Sequence, residues 1–537
     1  MHDAQDILSS AASNYDVKRL FVGTGLAALI CILSLFALPS LRPISSSGLY
    51  YFLTLVLYAV LMFASSYVEE EHNFWYWITS GWFFLLFLLS TRKSQSSIII
   101  LHPALVLLVI HRVIRRWNQT GQKYSGAPDI VTSGVFHGAN SLFLWVLIGA
   151  TYLDVTNRIS KHIARSVVTL SNPLYRKQVD PQPLDHHRAT GTLIALPLCG
   201  TAFVFKLAFT AKDAPELTYA ITPSLMAWVE ALDLVNLART VFAGIALVFA
   251  WITFAEYQRS VRRAQRNVRG QGGTLTPFDT GRGSANAATD LANAFFDLLT
   301  LFLLTQTKSQ NVPLYLLFRF QVFFLCKLPS LQSASPPTPP DSRAYTTPAH
   351  LNLTPTQTTL TSLLLAQTSF FALGLNNSIS SVDLSNAYNG VSGYNVLAVG
   401  LLVFLSNWAG PVYWSVAGVL LLGGTGEAKK SKATKGQQGR SWVQEEHAHL
   451  ATLAGPKAGD GERKSGQGVW ARHVSLLTLF TGVMLVSVMA ACTALRTHLF
   501  IWTVFSPKYL FAMAWGVAWH LGVTIGLGSL VSWLGGW

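Results

Sequence analysis

Long apolar stretches separated by short polar ones set the pattern of this chain. Leu20 to Pro39, Gly48 to Ser65, Phe74 to Ser90 and Val474 to Leu495 each approach the ~20 apolar residues that a helix needs to cross a ~30 Å hydrocarbon core. About thirteen such runs (12–14) are read along the chain. Their centres fall near residues 29, 57, 82, 104, 145, 200, 246, 299, 320, 365, 410, 483 and 522. In lipid every backbone N–H and C=O must find a partner within the protein, which helices achieve inside a single segment. The pattern predicts an all-α polytopic transmembrane helical bundle.

The polar intervals divide that bundle. A short lead-in, 1–18, precedes a first part at 19–328. Residues 329–353, with Ser-Pro-Pro-Thr-Pro-Pro at 335–340, and the Gly/Lys-rich 424–470 carry too little apolar surface to fold and read as disordered cytosolic linkers. Between them, 354–423 holds further helices around a polar loop at 376–395, and 471–537 holds the last two. No internal repeat is visible, which argues against an inverted-repeat transporter.

Composition supports the membrane reading. Of 537 residues, 51% are hydrophobic and 12% charged, against about 25% charged in soluble domains; a soluble globular fold is excluded. The formal net charge is +14, but the basic residues form no single stripe of the kind that binds a nucleic-acid backbone. They gather instead at Arg158, Lys161, Arg165, Arg176, Lys177 and Arg188, in 256–290 from Arg259 to Arg282, and at Lys429 to Arg440. Cytoplasmic loops retain Lys and Arg, so these three segments are expected in the cytosol, with the amino terminus lumenal and the carboxyl terminus cytosolic. Lys18 and Arg19, and the trio Arg112, Arg115 and Arg116, run against that bias. Sequons at Asn118 and Asn376 fall on the expected lumenal side. Cys31, Cys199, Cys326 and Cys492 are widely spaced, without metal-ligand spacing.

Polar groups at membrane depth are costly and need a partner or a water-filled pocket. Lys206, near the lumenal end of an apolar run, either snorkels to the interface or binds a lipid phosphate. Glu69-Glu70-Glu71-His72 precedes Phe74-Trp75-Tyr76-Trp77. The acids either offset a helix dipole beside an aromatic belt or hold an ammonium headgroup. In 376–395, Asp383, Asn386 and Asn389 sit in an Asn/Ser/Gly-rich loop that either caps two helices or folds over a cavity to bind sugar or headgroup. Arg496 and His498 add cationic groups on the same face. Asp185-His186-His187 resembles a metal set but lies in a basic, Pro-flanked segment and reads as solvated. No GxSxG elbow, Walker loop, GxGxxG, HExxH or two-metal Asp/His set is present, so no catalytic residue and no metal site is assigned.

Several stretches resemble the carboxyl-terminal membrane region of the glycosylphosphatidylinositol (GPI) ethanolamine phosphate transferase 2 family in its fungal form. They include Tyr67-Val68-Glu69-Glu70-Glu71-His72, Lys206-Leu207-Ala208-Phe209-Thr210, Gln310-Asn311-Val312-Pro313-Leu314, the loop from Ser378 to Asn395, Ser406-Asn407-Trp408-Ala409-Gly410-Pro411 and Arg496-Thr497-His498-Leu499-Phe500. The resemblance implies work in the endoplasmic reticulum membrane, moving phosphoethanolamine from phosphatidylethanolamine to the second mannose of the GPI precursor, with a small multi-pass companion subunit. It implies that catalysis belongs to a lumenal alkaline-phosphatase-like domain with a Thr nucleophile and zinc, which this chain is expected to lack. The bundle would then bind and position lipids, with no cofactor of its own. The bare composition allows another class, a non-catalytic lipid transporter, scramblase or membrane scaffold.

Overall fold

The computed structural model describes residues 16–36, 38, 45–91, 102–118, 129–131, 133–136, 138–171, 183–269, 278–328, 353–437, 459–495 and 501–535. Among them the chain is helical, with no strand. The helices are α1 Val17–Phe36, α2 Ser46–Leu61, short α3 Ser65–Glu69, α4 Glu71–Thr91, α5 Pro103–Arg115, α6 Ser141–Ser171, α7 Pro183–Asp213 and short α8 Pro223–Glu230. They continue as α9 Leu234–Arg269, α10 Phe278–Gln306, α11 Leu314–Lys327, α12 Pro355–Ala372, α13 Val396–Asn407, α14 Ala409–Gln437, α15 Gly459–Ala494 and α16 Thr503–Leu534. All thirteen expected centres fall on helices.

Among the described residues seven helices are long and apolar enough to cross a membrane, and α13 with α14 form a pair bent by 75° that is long and apolar enough together. Sequence reading had placed one span near residue 410. It breaks because Pro411 has no N–H to bond to the carbonyl of Asn407, and its ring would clash there. The basic segments also differ from simple loops: α6 carries Arg158, Lys161 and Arg165 within its length, and α9 continues to Arg269. At that end Arg158 bonds Asp297, His162 Nε2 lies 2.9 Å from Asp297, and Arg165 reaches Asp290 at 2.7 Å. These pairs stitch α6 to α10. The segment 424–470 is entered by helix at both ends, to Gln437 and from Gly459; the rest of it, and 329–352, lie outside the described residues.

The centre of the bundle is α12. It opens on a capping box of Thr354 and Gln357 with Pro355 in its first turn, and buries every residue from Thr356 to Ala372. A helix this rich in Thr and Ser tolerates burial because its hydroxyls bond back to its own carbonyls, as in Thr358 to Thr354, Thr359 to Pro355 and Thr361 to Gln357. Trp82 on α4 donates to the Thr361 hydroxyl at 2.8 Å, and His473 on α15 pairs with Thr359 at 2.8 Å. Small residues let α14 approach: a Cβ on Gly410 or Gly418 would lie 2.8 Å or 2.7 Å from the Cβ of Ser369 or Ser362. This is how membrane helices gain packing contact where no hydrophobic drive exists between them. Around that core, α1 exposes Phe21, Leu26, Leu29, Leu33 and Phe36, and α9 exposes Leu247, Trp251 and Phe254, an apolar exterior suited to lipid.

Candidate functional site

Lys206, the segment from Glu69 to His72, Asp383, Asn386 and Asn389 converge on one end of the bundle. There α3 meets α4, α5 ends, α7 and α10 end, and the loop 376–395 joins α12 to α13.

The acidic tetrad does not form one carboxylate surface. Glu71, at the first position of α4, is buried at 3% exposure. It accepts from Lys508 Nζ at 2.5 Å, from Trp75 Nε1 at 2.9 Å and from Asn377 Nδ2 at 2.7 Å. A headgroup ammonium therefore has no access to it, because Lys508 of α16 already holds that position. The negative charge at a helix start is also where the dipole favours it. Asn377 further donates to the Val68 carbonyl at 3.1 Å. Glu70 accepts from Asn73 Nδ2 at 2.7 Å and lies 3.4 Å from His72 Nε2. Its carboxyl is raised above the usual range by burial and by Glu69, against the opposing Asn73 hydrogen bond. Glu69 is exposed, and His72 is buried between Tyr76 and Phe371.

Lys206 neither snorkels nor opens into a cavity. It is fully buried, and its ammonium donates to the carbonyls of Thr305 at 2.9 Å and Thr307 at 2.7 Å. Those carbonyls stand at the end of α10, where a helix leaves its last carbonyls without partners inside itself. Lys206 thus supplies from α7 the cation that a helix carboxyl terminus prefers. Beside it the Thr210 hydroxyl bonds the Ser309 hydroxyl.

The loop 376–395 is fastened at several points. Asn407 accepts from the Asp383 backbone N–H at 2.8 Å and donates to its carbonyl at 2.9 Å. Asn389 is buried, donating to Asn386 at 3.0 Å and Gln306 at 3.3 Å, and Asn386 is buried with it. Arg239 on α9 donates to the Gly390 carbonyl at 2.8 Å and the Ser392 hydroxyl at 3.0 Å. Of the three residues expected to touch ligand, Asn386 and Asn389 serve the loop's interior. Asp383 is half-buried, 3.6 Å from Lys308. It lines a cavity of about 70 Å³ with Asn118, Lys308, Asn311, Ser381 and Asn407, room for several waters. The loop joins the two clusters, Asn377 entering the Glu71–Lys508 pair and Asn389 reaching Gln306 at the end of α10.

The sequence family described as the GPI ethanolamine phosphate transferase membrane region matches residues 12–537. The chain belongs to that family. It is 32% identical to GPI ethanolamine phosphate transferase 2 of Aspergillus oryzae, over 98% of this chain and 47% of the relative. For the protein of the same name in Aspergillus fumigatus the values are 31%, 100% and 48%, and in Yarrowia lipolytica 33%, 99% and 54%. The chain spans about half the length of these curated relatives. No solved structure matches it.

In this GPI ethanolamine phosphate transferase membrane region, Arg496 and His498 lie outside the described residues. Asp185, His186 and His187 fall in the first turns of α7, and their side chains lie outside the described set. Among the described residues no three His, Cys, Asp or Glu side chains gather as a metal set. Sequence reading missed Asn377, Asn407 and Arg239 as framework of this face and Lys308 at its rim, and gave Lys508 no role. Lys508 carried a usable signal: like Lys206, it is a lone lysine at the margin of a long apolar run.

Proposed function

We propose that this chain is the lipid-binding membrane part of a GPI-anchor biosynthesis enzyme in the endoplasmic reticulum. In this reading the polar end faces the lumen, the amino terminus is lumenal and the carboxyl terminus cytosolic. Phosphatidylethanolamine is the donor, and the second mannose of the GPI precursor is the acceptor. The catalytic domain, with its zinc, belongs to the part of the relatives that this chain does not match. A small multi-pass companion subunit completes the assembly.

The observation that carries the reading is the fastening of the loop 376–395 across one end of the bundle. It ties the Glu71–Lys508 pair to the end of α10 and leaves Glu69, Glu70, Lys308 and Asp383 at the rim. Both signs of charge then stand on one floor, where an ammonium would meet Glu70 and a phosphate would meet Lys308 beside Asp383. Holding two dilute lipids in one geometry makes their reaction effectively unimolecular, where ~7–11 kcal/mol of barrier can lie. The buried residues Lys206, Glu71, Asn386 and Asn389 keep that floor in shape, and the rim residues do the contacting.

The test is complementation of fungal cells lacking the transferase. Restored ethanolamine phosphate on the second mannose, seen by mass spectrometry when the chain is joined to a relative's amino-terminal half but not when expressed alone, is the expected result. Lipid movement between leaflets of liposomes holding the purified chain, with no complementation in either form, would overturn it in favour of a transporter or scramblase.

A further inference from the structure

The arginines of α5 stand beside this floor, and Arg112 and Arg116 take no part in it. Arg112, Arg115 and Arg116 occupy the last turn of α5 and its cap, at the same end as Glu70 and Asn377. Arg115 donates to Asn73 at 3.1 Å, and both Arg112 and Arg115 lie over the exposed Trp77 ring, 5.0 and 5.2 Å from its centroid. Arg112 and Arg116 are exposed. Among the described residues no carboxylate stands within ion-pair distance of any of the three. A helix carboxyl terminus favours a cation, but three in five residues repel one another. On the proposed lumenal side, Arg is also the residue that membrane orientation selects against.

The rest of the stripe gives them a purpose. Leu108, Arg112 and Arg116 recur every four residues, as do Val109 and Val113, so all five share one face of α5. With Ile130, drawn in by its N–H bond to the Arg116 carbonyl at 2.9 Å, they line an open groove of about 440 Å³. That volume is within the range of small-molecule sites. The groove is apolar toward Leu108 and cationic toward Arg116. An exposed Trp such as Trp77 marks the level of the lipid headgroups.

We propose that this groove seats a glycerophospholipid of net negative charge, its acyl chain along Leu108, Val109 and Val113 and its phosphodiester between Arg112 and Arg116. Among the described residues no carboxylate lines the groove to receive an ammonium, so the site takes an inositol phospholipid, the class that forms the lipid end of a GPI precursor, over an ethanolamine one. This rests on the membrane reading and orientation given under Proposed function, and assigns to one of its two lipids a place on the protein.

The test titrates the purified full chain in detergent with dioctanoyl phosphatidylinositol and follows tryptophan fluorescence. Saturable binding is expected, weakened about tenfold or more by R112Q/R116Q. Equal weakening is expected from V109W/V113W, which fills the groove and keeps both arginines. Elution volume and melting temperature check that each variant folds. Dioctanoyl phosphatidylethanolamine and phosphatidylcholine are expected to bind at least about tenfold more weakly, and inorganic phosphate not to compete at matched concentration. Unchanged binding by both double variants, equal binding of the zwitterionic lipids, or competition by inorganic phosphate would each overturn the proposal. Complementation separates the two readings: transfer that fails while the groove still binds its lipid overturns the transferase reading, and lost binding is read without reference to transfer.

Discussion

Lys206 and Lys508 carry the same side chain at similar depth, yet the structure uses them for opposite purposes. Lys508 neutralises a buried carboxylate, whereas Lys206 donates to the carbonyls that end α10 and lies over the Phe209 ring. Removing one member of a buried ion pair strands the other, at about 3–5 kcal/mol. Lys508→Met should therefore lower the melting temperature in detergent sharply, and Glu71→Gln added to it should recover part of the loss; a single variant as stable as the parent would remove the pair from the account. For Lys206→Met the expected loss is smaller, about 1–3 kcal/mol, for carbonyls left buried without donors. Both lysines stand out in the sequence as cations beside apolar runs. Their partners do not, since Glu71 is 437 residues from Lys508 and Thr305 is 99 from Lys206.

Among the elements, the loop 376–395 was visible as an unusual polar stretch, but its function as a strap was not. A run of Asn, Ser and Gly reads equally well as a ligand surface or as a cap, because amides and hydroxyls serve either. Burial decides: Asn386 and Asn389 point inward, Asp383 stays at the rim. The strap depends on Gly390, whose φ is +79° and whose Cβ would meet the Phe242 ring at 3.1 Å. Gly390→Ala adds about 1–2 kcal/mol of backbone strain to that crowding. It should speed amide hydrogen exchange across 376–395 while leaving α12 protected; uniform protection in both would contradict the strap. The break between α13 and α14 was legible in principle, from Pro411 alone, whereas its 75° angle was not.

At the scale of the whole molecule, Arg165 and Arg259, bonded to Asp290 and Thr169, stand among the described residues at the end of the bundle away from Glu71, Lys206 and Asp383. Which end is lumenal is testable in sealed microsomes with a membrane-impermeant thiol reagent. Tyr394→Cys should be protected until the membrane is opened, and Arg188→Cys should be labelled at once; the reverse would invert the proposed topology. A second whole-molecule measurement is the mass of the native protein on an immunoblot after deglycosylation. A band well above the 58.8 kDa of this chain is expected if it functions joined to a catalytic domain, and a band at that mass would mean that any such domain is a separate chain.

The sequence by itself determined the all-α membrane class, the positions of the apolar runs, the sorting of charge and the family. Each of these follows from local quantities: run length against bilayer thickness, residue type, and matching text. Only the tertiary structure decided which polar groups are buried as framework and which stand at the surface. That choice depends on partners brought together from distant helices, and in a low-dielectric interior a charge is stable only where such a partner arrives.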